Sequence, residues 1–194
     1  MKFFSAFLIQ HGPVETAAQV IGFVAMTLLV ASFQQKTRNR ILGVQMVSGT
    51  LWTVHYALLG AYTGMALNFV GVVRCFVYAN RKDGNRFDNN YIPGIFMVVS
   101  VAVGLLSWTG PASLLPMASL SFTSFAYWSK NPTVLRVLSY PNCICWLLFN
   151  IISGSYAGIA TEVFNLISVT VGILRHDVFK KKVVPVPLAE DTPA

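Results

Sequence analysis

The sequence predicts an all-α polytopic membrane protein with seven transmembrane helices, and three observations predict it. Of 194 residues, 55% are hydrophobic and only 11% are charged, against about 25% charged residues in a soluble domain. The polar residues are gathered into short gaps between long apolar runs, as in a chain that crosses a bilayer repeatedly. Two distant segments also read alike. Leu51–Ala66 and Cys145–Ala160 share Trp52/Trp146, Gly60/Gly154, Tyr62/Tyr156, Gly64/Gly158 and Ala66/Ala160 at a constant offset of 94. An internal repeat bears on architecture before any single residue does.

Residues 1–13 open like a signal peptide, Met1-Lys2-Phe3-Phe4, but the apolar run ends at His11-Gly12-Pro13 without a small-x-small cleavage site. They are expected to form an interfacial lead into the first span. Spans are expected at 14–33, 41–59, 62–79, 92–109, 112–128, 133–151 and 156–174. Several are near the short end for a crossing helix. Residues 14–79 then form a first three-helix repeat, 80–91 a solvated cytoplasmic loop, 92–109 a linker helix and 112–174 a second three-helix repeat. The tail, 175–194, is expected to be cytoplasmic and largely disordered, because Val183–Ala194 is too proline-rich and polar to pack.

Charge placement supports seven crossings. One side of the alternation receives Lys36, Arg38 and Arg40, then Arg81, Lys82 and Arg86, then Lys130 and Arg136, then Arg175, Lys180, Lys181 and Lys182. That is twelve of the fourteen basic residues; Lys2 falls on the other side and Arg74 within the third span. The positive-inside rule makes the basic side cytoplasmic, with the N-terminus outside and the C-terminus inside. The same placement explains the net charge of +7 without nucleic acid as a partner: these cations lie at helix ends, where they meet anionic lipid headgroups. Cys75, Cys143 and Cys145 read as small buried hydrophobes, since no second ligand pair accompanies the Cys-x-Cys. No metal or other cofactor is expected.

An offset of 94 spans four helix starts, so spans two and three correspond to spans six and seven. Both copies then cross in the same direction. A three-helix unit ends on the side opposite its start, so the fourth helix is needed to restart the second unit in the same orientation. The predicted architecture is 3+1+3, with parallel repeats about an axis along the membrane normal. In this the chain resembles the SWEET, or PQ-loop (MtN3-like), superfamily, and within that group a family of bacterial inner-membrane proteins without an established function. The resemblance implies multi-pass residence in the bacterial inner (plasma) membrane. It also implies that a tryptophan late in the second helix of each repeat, and an asparagine about sixteen residues on, face a central cavity. Those positions are Trp52 and Asn68 in the first repeat, and Trp146 and Glu162 in the second, where a carboxylate replaces the amide. The namesake proline–glutamine pair is degraded: Pro116 precedes Trp146 by thirty residues, Gly22 stands at the equivalent place before Trp52, and neither is followed by glutamine.

Glu162 stands out without any resemblance. About six residues into its helix, it lies roughly 9 Å below the helix end, and an acid at a helix centre costs about 2.5–3.5 kcal/mol on insertion. An intramembrane carboxylate is a functional-site candidate by default. Asn165 shares its helical face, and Asn68 lies at matching depth. His55 is the cation-forming group expected nearest to Glu162. His55, Tyr56 and Asn150 are each expected to serve as interhelical hydrogen-bond glue as well, and Arg74 to snorkel toward the cytoplasm. The substrate-binding candidates are therefore Trp52, Asn68, Trp146, Glu162, His55 and Asn165.

Two functions are compatible with these features. The first is transport or facilitation of a small polar solute by alternating access, with proton coupling through Glu162. The alternative is a non-transporting receptor or interaction protein on the same fold, with a cytoplasmic pocket lined by Arg38, Arg81 or Arg136. An enzyme is not expected, because no paired carboxylates, serine–lysine pair or metal-ligand cluster falls in the spans. Membrane lipids are the expected partners, and self-association into a homo-oligomer is compatible with the resemblance.

Overall fold

The computed structural model describes residues 2–32, 38–81, 84, 86–129 and 132–174. Among these there are seven α-helices and no strands. They are α1 (Lys2–Ser32), α2 (Arg38–Leu58), α3 (Tyr62–Ala79), α4 (Ile92–Leu106), α5 (Leu114–Trp128), α6 (Pro132–Ile152) and α7 (Tyr156–Ile173), with a 3-10 turn at Pro111–Ser113 leading into α5. The expected disordered tail, 175–194, lies outside the described residues.

Local chemistry accounts for the breaks. Pro13 has no amide hydrogen and disfavours helical geometry in the residue before it, so α1 kinks at Gly12, whose φ of 70° and ψ of 166° leave the helical region. The helix in the 92–109 segment stops at Leu106 because the next residues bond elsewhere. Gly110 turns at φ 147°, the Thr109 amide donates to Ser113 Oγ at 3.1 Å, and Thr63 donates to the Ser107 carbonyl. The loop before α4 is less free than expected. Arg81 pairs with Asp88 at 2.7 Å and lays its guanidinium 3.7 Å over the Trp128 ring, tying the loop to the end of α5.

The turns closing α2 and α6 are built alike. Gly60 and Gly154 hold φ of 70° and 67°, a left-handed conformation that costs a side chain-bearing residue energy and glycine nothing. The Ala61 amide reaches back to the Tyr56 carbonyl, and Gly60 to Ala57; Ser155 reaches to Asn150, and Gly154 to Ile151. These are the paired 6→1 and 5→2 bonds of a Schellman motif. The bonds of one turn are those of the other displaced by 94 residues.

α1, α2 and α3 pack in sequence, as do α5, α6 and α7, while α4 bridges α3 and α5; the two sets meet where α1 touches α7 and α3 touches α5. One buried cluster joins α3, α4 and α5 through Leu67, Tyr78, Phe96, Met117 and Leu120. A second gathers Ala25, Trp52, Tyr56, Phe149 and Ala157 near the two glycine turns. The outer face is apolar, with Phe69, Val98, Leu106, Ile151 and Ile167 exposed, a surface suited to lipid rather than water. Gly12–Ser32, Tyr62–Ala79 and Tyr156–Ile173 are long and apolar enough to cross a membrane. α4 is apolar but only 15 residues long, a rise of about 22 Å against a hydrocarbon core of about 30 Å.

Candidate functional site

Polar side chains cross this helix bundle in two layers, separated by stacked aromatic rings. The first layer lies beside the glycine turns. His55 is fully buried, with Nδ1 2.6 Å from the Ala18 carbonyl and Nε2 2.7 Å from Ser155 Oγ. A carbonyl only accepts, so the ring proton sits on Nδ1, and Nε2 accepts the serine proton. Ser155 caps α7 by accepting from the Gly158 amide at 3.1 Å. Tyr56 donates to Asn150 Oδ1 at 2.6 Å. Gln19 donates to the Gly154 carbonyl at 2.8 Å and accepts from the Ala157 amide at 3.3 Å. These groups bond to one another and to the neighbouring backbone.

Small residues allow that closure. A β-carbon on Gly22 would come within 2.8 Å of both Ala157 and the His55 ring, and one on Gly158 would collide with the Asn150 carboxamide. Beneath this layer Tyr56 lies between two tryptophans, its ring centroid 5.9 Å from Trp52 and 5.7 Å from Trp146, both near-parallel. Such offset stacking adds to the area the rings bury.

The second layer lines a cavity of about 180 Å³ on the far side of the rings. Five of the six candidates from the sequence border it: Trp52, Asn68, Trp146, Glu162 and Asn165. Asn68 donates to the Gly64 carbonyl at 3.0 Å. Asn165 donates to Glu162 Oε2 at 3.4 Å. Asn142, on the same wall, accepts from Ser119. The sixth candidate, His55, does not border the cavity: it takes the interhelical hydrogen-bonding role also expected of it and is no partner of Glu162.

The cation of the cavity is Arg74, which was expected to snorkel out. It is 5% exposed and borders the cavity. Its Nη1 donates to Thr123 Oγ1 at 2.6 Å and more loosely to the Leu120 carbonyl and Ser124 Oγ, each at 3.3 Å. Its guanidinium stands 5.1 Å from the Tyr127 ring centroid, and its Nε is buried without an acceptor. Arg74 lies five residues from the end of α3, which suggested an interfacial position; the hydroxyls of α5 that draw it inward are distant in sequence. Among the described residues no group of three histidine, cysteine or acidic side chains is placed to hold a metal ion.

The chain matches a family described as bacterial inner membrane protein (Imp-YgjV) over residues 16–180. It is 23% identical over 177 residues to the inner membrane protein YgjV of Escherichia coli (strain K12), a similarity that covers 91% of this chain and 93% of that protein. No solved structure matches.

Proposed function

Since the chain belongs to this bacterial inner membrane protein family, we propose that it carries a small polar solute across the inner membrane by alternating access. Its seven helices would cross as two parallel three-helix repeats and a linker, in the SWEET-like manner, with the N-terminus outside and the C-terminus in the cytoplasm.

The observation that carries this proposal is that repeat-equivalent residues line one cavity. Asn68 and Glu162 are 94 residues apart, as are Trp52 and Trp146, Ser48 and Asn142, and Gly71 and Asn165; all eight border it. Contacts between the halves support the same symmetry. Gln19 meets Ala157 where α1 touches α7, and the equivalent residues, Ser113 and Thr63, meet at 2.9 Å where α5 touches α3. Tyr56 and Asn150 are themselves equivalent and bond to each other, as residues astride a two-fold axis do. Two halves that meet through a thin interface beside a central cavity are the parts alternating access requires. The saturated layer beside the glycine turns would then be the closed gate. The exposed apolar belt would face lipid, and the protein would do no covalent chemistry.

The test is access. In a cysteine-free background, Asn68→Cys is exposed to a membrane-impermeant thiol reagent from each side of oriented vesicles. Labelling from both sides is expected. Labelling from one side only would leave a static pocket, which is the receptor alternative.

A further inference from the structure

Arg74 and Glu162 are the charged side chains of the cavity wall. They come from different halves, and each stands where the repeat partner is uncharged: Asn68 opposite Glu162, and Ser168 opposite Arg74. They do not pair with each other. Arg81 and Asp88 pair just beyond α3, and neither cavity charge takes part in an ion pair among the described residues.

The guanidinium never loses its charge, and a buried ion without a counterion is costly, the more so inside a membrane. All three hydrogen bonds that Arg74 makes use Nη1. The opposite edge, Nε with Nη2, is the fork that receives a carboxylate through two parallel bonds, and its Nε has no acceptor. On the other wall Glu162 has only a long amide contact, a weak donor for a carboxylate. The cavity, of about 180 Å³, has room for a small solute.

We infer that the cavity binds a small zwitterion, its carboxylate on the Nε edge of Arg74 and its ammonium group at Glu162. This rests on the proposed function for the statement that the solute crosses the membrane, and on the cavity alone for the statement that it binds. A solute bearing both charges balances both walls at once. A plain anion leaves Glu162 unmatched, and a sugar leaves both charges unmatched.

The test uses the full chain in lipid nanodiscs and measures binding of glycine, alanine and serine, with acetate and glucose as comparators. The zwitterions are expected to bind at least roughly tenfold more tightly than acetate, with glucose weakest. Arg74→Lys keeps the charge but loses the fork, and should weaken zwitterion binding by roughly tenfold or more. Glu162→Gln should abolish the preference for alanine over acetate. If Arg74→Lys does not fold, the near-isosteric Glu162→Gln decides. Binding of glucose alone, equal binding of acetate and alanine to the native protein, no binding of any zwitterion, or a preference for alanine that survives Glu162→Gln would each overturn the inference. Zwitterion binding without uptake into proteoliposomes would leave it standing and remove transport. Glucose uptake indifferent to Arg74 would keep transport and remove the zwitterion.

Discussion

The two polar layers are built from similar residue types and differ in how fully their hydrogen bonds are made. Beside the glycine turns, His55, Ser155, Tyr56, Asn150 and Gln19 hydrogen-bond to one another and to backbone carbonyls of neighbouring segments. Around the cavity, Asn68 spends its amide on its own helix, Asn165 makes a long contact, and Arg74 Nε has no acceptor. A closed network rigidifies a bundle; an unfinished one is costly to keep without a ligand. The sealed layer therefore reads as structure and, under the proposed function, as the gate, with the unfinished layer as the site. Polarity inside the membrane does not separate the two roles, but satisfaction does.

Breaking the sealed layer should have the largest effect. Gly158→Ala drives a methyl group into the Asn150 carboxamide and the Ser155 cap, combining overpacking with broken hydrogen bonds, so a loss of about 3 kcal/mol is expected. Thermal unfolding of the detergent-purified protein measures it, and a melting point within a degree or so of the native value would show that the layer yields easily. Next comes Asn150→Leu, which removes the acceptor of the buried Tyr56 hydroxyl at a cost of roughly 1–3 kcal/mol. Adding Tyr56→Phe should recover at least half of that loss, because removing both partners is nearly neutral. No recovery in the double variant would mean that the pair does not form.

A smaller effect compares the halves instead of the layers. Gly60→Ala and Gly154→Ala each place a β-carbon at φ near 70°, at a cost of roughly 1–2 kcal/mol. Because the two turns share one hydrogen-bond scheme, the two losses should be equal; a clear inequality would separate the halves energetically. The smallest change in stability is expected at Arg74. Thr123 and Ser124 already bond within α5, so Arg74→Met strands neither hydroxyl and removes a buried cation without a counterion. Stability should stay within about 1 kcal/mol of native or rise. A large loss on unfolding would make Arg74 structural and return the cavity to the same class as the sealed layer.

Much of the cavity was legible in the sequence because a repeat carries position with it. Once Trp52 matched Trp146, Asn68 and Glu162 followed at the same register, and Asn165 followed one helical turn from Glu162. The partners of His55 and Arg74 were not legible for a common reason. Distance along a helix gives depth but not the partner on the neighbouring helix. His55 lies at a depth close to Trp52, yet it turns toward Ala18 and Ser155. Arg74 lies near a helix end, yet the hydroxyls of α5 hold it inward. Tyr56 belongs to the same class: its placement between two tryptophans depends on the approach of α2 and α6.

By itself the sequence determined the helices, the membrane setting and the residues that recur at a fixed offset, because apolar run length, turn glycines and a constant spacing are local or periodic properties of a chain. Tertiary structure alone decided which polar groups are satisfied and which are left open. Hydrogen-bond saturation depends on groups dozens of residues apart, Ser155 with His55 and Thr123 with Arg74, brought within 3 Å by packing.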